Sequence, residues 1–122
     1  ADVLLLKAEA LISLGKLSDA AAIINQIRQR AQLPNLDIAV ASNAADLLDA
    51  YLDERRMELA FEGQRWYDLV RLDKVETVMN AVYAKDSGRM AQRNAFTELS
   101  YLMPLPQPVL DTNDNLVQNP GY

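Results

Sequence analysis

Glu58 and Glu62, four residues apart, are the side chains of this chain most suited to chemistry. Two carboxyl groups at a sugar can act as acid and base, or as acid and nucleophile, in glycoside cleavage. Both lie in the segment Asp53-Glu54-Arg55-Arg56-Met57-Glu58-Leu59-Ala60-Phe61-Glu62-Gly63-Gln64-Arg65-Trp66-Tyr67-Asp68-Leu69-Val70-Arg71, where four arginines alternate with five acids. Helical spacing puts Glu58 and Glu62 on adjacent turns of one face, whereas glycosidase carboxyls flank a sugar from opposite sides of a cleft. Arginine neighbours also keep a carboxylate ionised, and a general acid must hold its proton. The same spacing predicts i,i+3 ion pairs from Arg55 to Glu58, Glu62 to Arg65 and Asp68 to Arg71. It also stacks Glu54, Glu58 and Glu62 as like charges unless arginines intervene. Interleaved charge of this kind builds a structural ion network, and no catalytic residue is assigned.

Trp66 and Tyr67 raise a second chemistry, stacking of an aromatic face on a sugar ring. Trp66 is in register with Leu69, Val70 and Leu72, so at least one of the two aromatics is expected to face the core. Asp111-Thr112-Asn113-Asp114-Asn115 imitates the start of a calcium loop. The match then fails, because Leu116 stands at the glycine position and Tyr122 at the bidentate glutamate. No metal ligand is assigned. The chain has no cysteine and no histidine, which removes thiolate nucleophiles, His-based triads and Cys/His zinc sites. Neither a phosphate-binding glycine loop nor a dinucleotide fingerprint is present, so no cofactor is expected. A net charge of -5 over 122 residues, with every basic stretch interleaved with acids, argues against a nucleic-acid partner.

The elements carrying these residues are expected to be helices. Residues 1–14 read as a helix that is apolar on nearly every side, with only Asp2, Glu9 and Ser13 as a polar stripe. Such a helix normally lies buried in a larger structure, so any export signal would lie upstream. Gly15 supplies a stop and Ser18 is the expected N-cap of the next helix. Apolar residues then recur at Ala20, Ile23, Ile24, Ile27 and Ala31 with the helical period, ending before Pro34. Small residues at Ala8, Gly15 and Ala20, with large ones at Leu11, Leu17 and Ile24, resemble one tetratricopeptide unit spanning residues 1–34. Ser42-Asn43 is expected to cap a long signature helix from Ala44, kinked near Gly63 and continuing to residue 82. Residues 83–94, containing Ser87-Gly88, read as an exposed loop. Residues 96–103 read as a weak strand, and Pro104, Pro106 and Pro108 as an extended tail through residue 122.

Three motifs, in order, carry a family resemblance. They are the helix pair Leu4-Leu5-Leu6-Lys7-Ala8-Glu9-Ala10-Leu11 with Ala20 to Pro34, and the block Glu54-Arg55-Arg56…Glu58-Leu59-Ala60-Phe61-Glu62-Gly63-Gln64-Arg65-Trp66-Tyr67-Asp68-Leu69. The third is the ending Tyr101-Leu102-Met103-Pro104-Leu105-Pro106 with Gln118-Asn119-Pro120-Gly121-Tyr122. Together they resemble the C-terminal domain of the SusD-like (RagB/SusD) family, more weakly across 35–43 and 83–97. Gln64 stands where many members carry histidine. The resemblance implies an all-α, mainly helical fold and a non-catalytic, lipid-anchored binding protein of the outer membrane in glycan-foraging bacteria. Its expected partners are a TonB-dependent SusC-like transporter and an oligosaccharide or peptide ligand bound by the full-length protein. The lipid anchor and most ligand-contacting aromatics would belong to an N-terminal region outside these residues. No ligand-binding residue therefore transfers to a numbered position here. Arg55, Glu58, Glu62, Arg65, Trp66 and Asp68 transfer as a structural signature.

Two other readings stand beside it. One is a free-standing tetratricopeptide-like module for protein–protein interaction, and the other is the carboxylate glycosidase. The chain by itself is expected to hide residues 3–12 by self-association.

Overall fold

The computed structural model describes residues 1–86 and 95–122. Among them the regular elements are helices, with no strand: α1 (Asp2–Ser13), α2 (Leu17–Arg30), α3 (Ile38–Ala41), α4 (Ala44–Glu58), α5 (Arg65–Arg71), α6 (Val75–Ala84) and α7 (Gln107–Leu110), plus a 3-10 turn at Glu98–Tyr101. The chain divides into two compact units, residues 1–65 and 66–122.

In the first unit α1 and α2 form a hairpin on which α4 packs. The hairpin turn is a Schellman closure. The Gly15 N–H donates to Ile12 O (2.9 Å), the Lys16 N–H to Leu11 O (2.9 Å), and Gly15 holds φ +70°. Glycine reaches that left-handed conformation without a Cβ clash. The second helix begins at Leu17 with Lys16 at the cap position and no side-chain cap, so Ser18 lies inside the helix and does not cap it. The cap expected at Asn43 is present, its Oδ1 accepting from the N–H groups of Ala45 (2.9 Å) and Asp46 (3.1 Å). Leu5, Ala8 and Ile12 of α1, Ala20, Ala21, Ile24 and Ile27 of α2, and Leu47, Tyr51 and Leu52 of α4 make the core. Each fully buried aliphatic here is worth about 1.5–3 kcal/mol over its exposed state. On the other side of α1, Val3 and Leu14 are 78 % and 70 % exposed, with Leu6 also open to solvent.

The second unit has a small core of Leu69, Val75 and Phe96, against which Trp66, Val70, Val78, Met79, Tyr83 and Tyr101 pack partly buried. Two amide side chains take the place of a β-ladder. Asn80 donates to Phe96 O (2.9 Å) and accepts from Phe96 N–H (2.8 Å). Gln118 does the same with Leu105, at 2.9 and 2.7 Å. Asn119 reaches Met103 O (2.6 Å) and the Tyr122 hydroxyl donates to Leu102 O (2.9 Å), which closes the C-terminal segment back on residues 102–105.

Several expectations are corrected here. The signature region is three helices, α4, α5 and α6. Besides the break at Gly63 (φ +76°), the chain turns at Asp73 (φ +54°) in a further Schellman closure, with Asp73 N–H to Val70 O (3.2 Å) and Lys74 N–H to Leu69 O (2.8 Å). Aspartate is among the few other residues that enter the left-handed region, so this stop carries no glycine to mark it. The weak strand over 96–103 is instead the 3-10 turn, closed by a capping box between Thr97 and Ser100. Part of the proline-rich tail is also helical, because Pro108 sits in the first turn of α7, where a missing N–H costs nothing. The expected loop at 83–94 begins later, since Tyr83 and Ala84 belong to α6, and residues 87–94, Ser87-Gly88 included, lie outside the described residues.

Candidate functional site

The core-facing side of α4 carries the signature charges. Tyr51, Glu54, Arg55 and Glu58 recur at i, i+3, i+4 and i+7, one face of a helix, and each side chain finds a partner on the α1–α2 hairpin. The Tyr51 hydroxyl donates to the Glu9 carboxylate. Arg55 Nη1 donates to Asp2 Oδ1 at 2.7 Å, and its guanidinium lies 5.9 Å from the Tyr51 ring centre. Arg28 bridges Glu54 Oε2 (2.9 Å) and Pro34 O (2.8 Å), while Arg30 pairs with Glu58. The polar stripe of α1, Asp2 and Glu9, therefore faces α4.

These partners differ from the i,i+3 pairs expected within one helix. Arg55 is buried and pairs with Asp2, while Glu58 pairs with Arg30. The ladder from Glu62 to Arg65 does not form because α4 ends at Glu58. Glu62 lies exposed in the following turn, and Arg65 Nη1 donates to Leu52 O at 2.8 Å. Of the three expected pairs Asp68–Arg71 is present, at 2.9 Å with Asp68 buried, and Arg56–Asp53 at 3.3 Å also follows the helical spacing. Arginine's planar fork suits such cross-helix pairs, and the facing helix supplies acceptors that a single helix lacks.

Glu58 is engaged by Arg30 on a helix face, and Glu62 stands outside that helix. In the second unit Trp66 packs against Phe96 with ring centres 6.4 Å apart and planes tilted by 56°. Tyr67 is 69 % exposed and presents a lone ring. Trp66→Ala is expected to cost about 2 kcal/mol, below the range for a fully buried tryptophan because the indole is only partly covered. An unchanged urea midpoint would place the indole outside the core.

Asp111–Asn115 forms a turn in which Asn113 Oδ1 accepts the Asn115 N–H at 3.1 Å. No group of three or more acidic side chains converges as a metal site among the described residues, and none of the described helices is long and apolar enough to cross a membrane. Sequence reading missed one open groove of about 930 Å³ beside the start of α2. Lys16, Ser18, Asp19, Asn25, Asn35 and Ile38 line it, with no aromatic residue on which a sugar could stack.

One ionisable group of the second unit is displaced. The Tyr101 phenol is pushed up from 10.0 to about 12, first by its hydrogen bond to the Asp73 carboxylate, then by burial and by the charges of Asp73, Glu76 and Glu98. The neutral phenol is the form the fold favours. Its stabilising effect is complete below pH 10 and is lost as pH rises through about 12. In Asp73→Asn the Tyr101 transition, isolated as the absorbance difference from Tyr101→Phe, is expected to move back toward the ordinary value. An unmoved transition would contradict the contact.

The SusD family model matches residues 1–122. The chain is similar to SusD-like protein P2 of Formosa agariphila, 41 % identical over 130 residues, which covers all of this chain and 25 % of that protein. It is also similar to SusD-like protein P38 of the same organism, 38 % identical, covering all of this chain and 23 % of that one. A crystal structure of a SusD-like protein from Bacteroides fragilis NCTC 9343 superposes with a TM-score of 0.72 at 26 % identity, over 99 % of this chain and 24 % of that one. The chain thus spans about a quarter of the length of these relatives. With the whole chain matched by the family model and the helical fold shared with a solved relative, this protein belongs to the SusD family.

Proposed function

We propose that these residues are the C-terminal part of a longer, non-catalytic binding protein held on the outer membrane by a lipid at its N-terminus. That protein takes up oligosaccharides or peptides together with a SusC-like TonB-dependent transporter. The observation that carries the reading is the family match along all 122 residues, set against relatives four times as long. Within it, Arg55, Glu58, Arg65, Trp66 and Asp68 act as scaffold, since each is engaged in a helix, backbone or core contact. Glu62, also part of the signature, belongs to the turn that ends α4. Residues 1–34 fill the place of a last tetratricopeptide-like pair. The open apolar side of α1 at Val3, Leu6 and Leu14 supports self-association of the chain when it is isolated. Sedimentation as a strict monomer would count against that.

The test is an immunoblot of fractionated source cells with an antibody against this chain. A band several times its size in the detergent-extracted outer membrane is expected. A band of 13.6 kDa in the soluble fraction would overturn the reading in favour of a free-standing interaction module. Non-catalysis has its own check. Release of reducing sugar from an oligosaccharide panel that vanishes in Glu58→Gln would revive the glycosidase.

A further inference from the structure

We infer that Phe61 is an anchor residue, seated in an apolar pocket with a basic rim on another part of the longer polypeptide proposed above. Phe61 combines two unfavourable features. Its side chain is fully exposed, at 107 % of the reference area, and its backbone is left-handed, with φ +68°. A benzyl side chain on left-handed backbone is a steric outlier, and an exposed ring forgoes burial.

Among the described residues the other two non-glycine positions with positive φ, Gln32 and Asp73, are polar and sit at the left-handed position of Schellman closures. Phe61 has no such local reason. The turn after α4 is held by the Glu62 N–H on Leu59 O at 3.2 Å and by burial of the Leu59 side chain. The ring of Phe61 contributes to neither. Glycine or asparagine would satisfy this backbone at lower cost, so the choice of phenylalanine is accounted for by something that covers the ring.

Charge narrows the occupant. The next residue, Glu62, is an exposed acid, while Glu58 is matched by Arg30 and Arg56 by Asp53. An apolar pocket carrying lysine or arginine at its edge complements that pattern. A second copy of this chain does not, because a two-fold contact would press one Glu62 turn against the other. The relatives keep about three quarters of their length outside the matched region. That polypeptide is tethered to the turn and outcompetes free partners by effective concentration.

Phe61→Gly separates the possibilities by the sign of the change in melting temperature. Glycine relieves the left-handed strain, so the 122-residue chain is expected to melt a few degrees higher. The longer protein loses the anchor and is expected to melt lower. A rise in both overturns the pocket, and a fall in both places the covering surface within these 122 residues, which also overturns the inference. If the longer variant fails to fold, hydroxyl-radical footprinting of the unmutated proteins decides. Phe61 should oxidise several-fold more slowly in the longer protein than in the 122-residue chain, and equal rates would sink the inference. Detection of no longer polypeptide in cells is a different failure, that of the proposed function itself.

Discussion

Phe96→Ala is expected to unfold residues 66–122 as a unit, at a cost of about 3–5 kcal/mol. Among the described residues the core of the second unit is Leu69, Val75 and Phe96, the last from a segment distant in sequence. Its ring lies 5.3 Å from that of Tyr83 and 6.4 Å from that of Trp66, and its backbone is tied on both sides to Asn80. Removing the ring leaves a void that helices of seven and ten residues cannot collapse to fill. Such short helices are held by packing far more than by their own propensity. A domain of this length has a total stability on the order of 3–8 kcal/mol, so one such void is enough to melt it. Amide hydrogen exchange reports the result residue by residue. Protection of α6 should vanish in Phe96→Ala and persist in Phe96→Leu. Retained α6 protection in the alanine variant would show that the cluster does not hold this unit together.

Arg28→Ala should destabilise the first unit by about 3 kcal/mol, the lower end of the range for breaking a buried ion pair. The Glu54 side chain is 8 % exposed and that of Arg28 22 %. Alanine would strand the carboxylate away from water with its guanidinium gone. It would also release Pro34 O from the Arg28 Nε–H, loosening the chain between α2 and α3. The loss should come mostly from the stranded charge and not from the pair itself. Arg28→Met with Glu54→Leu should therefore recover most of the stability, as apolar replacement of buried pairs does elsewhere. Urea unfolding of the single and double variants makes the comparison. A single-variant loss below about 1 kcal/mol would mean that the pair behaves as a surface contact.

The charged signature shows how far one-dimensional spacing reaches. Helical periodicity was enough to place α2, because apolar residues at 3.6-residue intervals have few other uses. The first helix, α1, was legible as a run apolar on nearly every side, and α4 from its cap and charge spacing. The stop at Gly15 and the start at Asn43 were readable for a similar reason. Left-handed backbone favours glycine, and orphan N–H groups favour a side-chain amide. The stop at Asp73 was not readable, since the Schellman bonds that make it are backbone bonds and any residue able to tolerate the left-handed region can sit there. The turn at Glu98–Tyr101 was likewise misread as a strand, because a four-residue 3-10 element is shorter than either period needs to declare itself.

What the sequence determined by itself is the helical class, the family, and the absence of Cys- and His-based chemistry. Those properties follow from residue types and local spacing. Only the tertiary structure decided where the charges go. Asp2 and Glu9, a polar stripe on an otherwise apolar helix, meet Arg55 and Tyr51 more than forty positions away. Arg28 and Arg30 meet Glu54 and Glu58 across the same interface. A helix surface offers each ion i,i+3 and i,i+4 neighbours worth only a few tenths of a kcal/mol. A packed interface withdraws part of the solvent and makes the cross-helix partner the better one. That choice depends on which faces meet, and no spacing along a single chain encodes it.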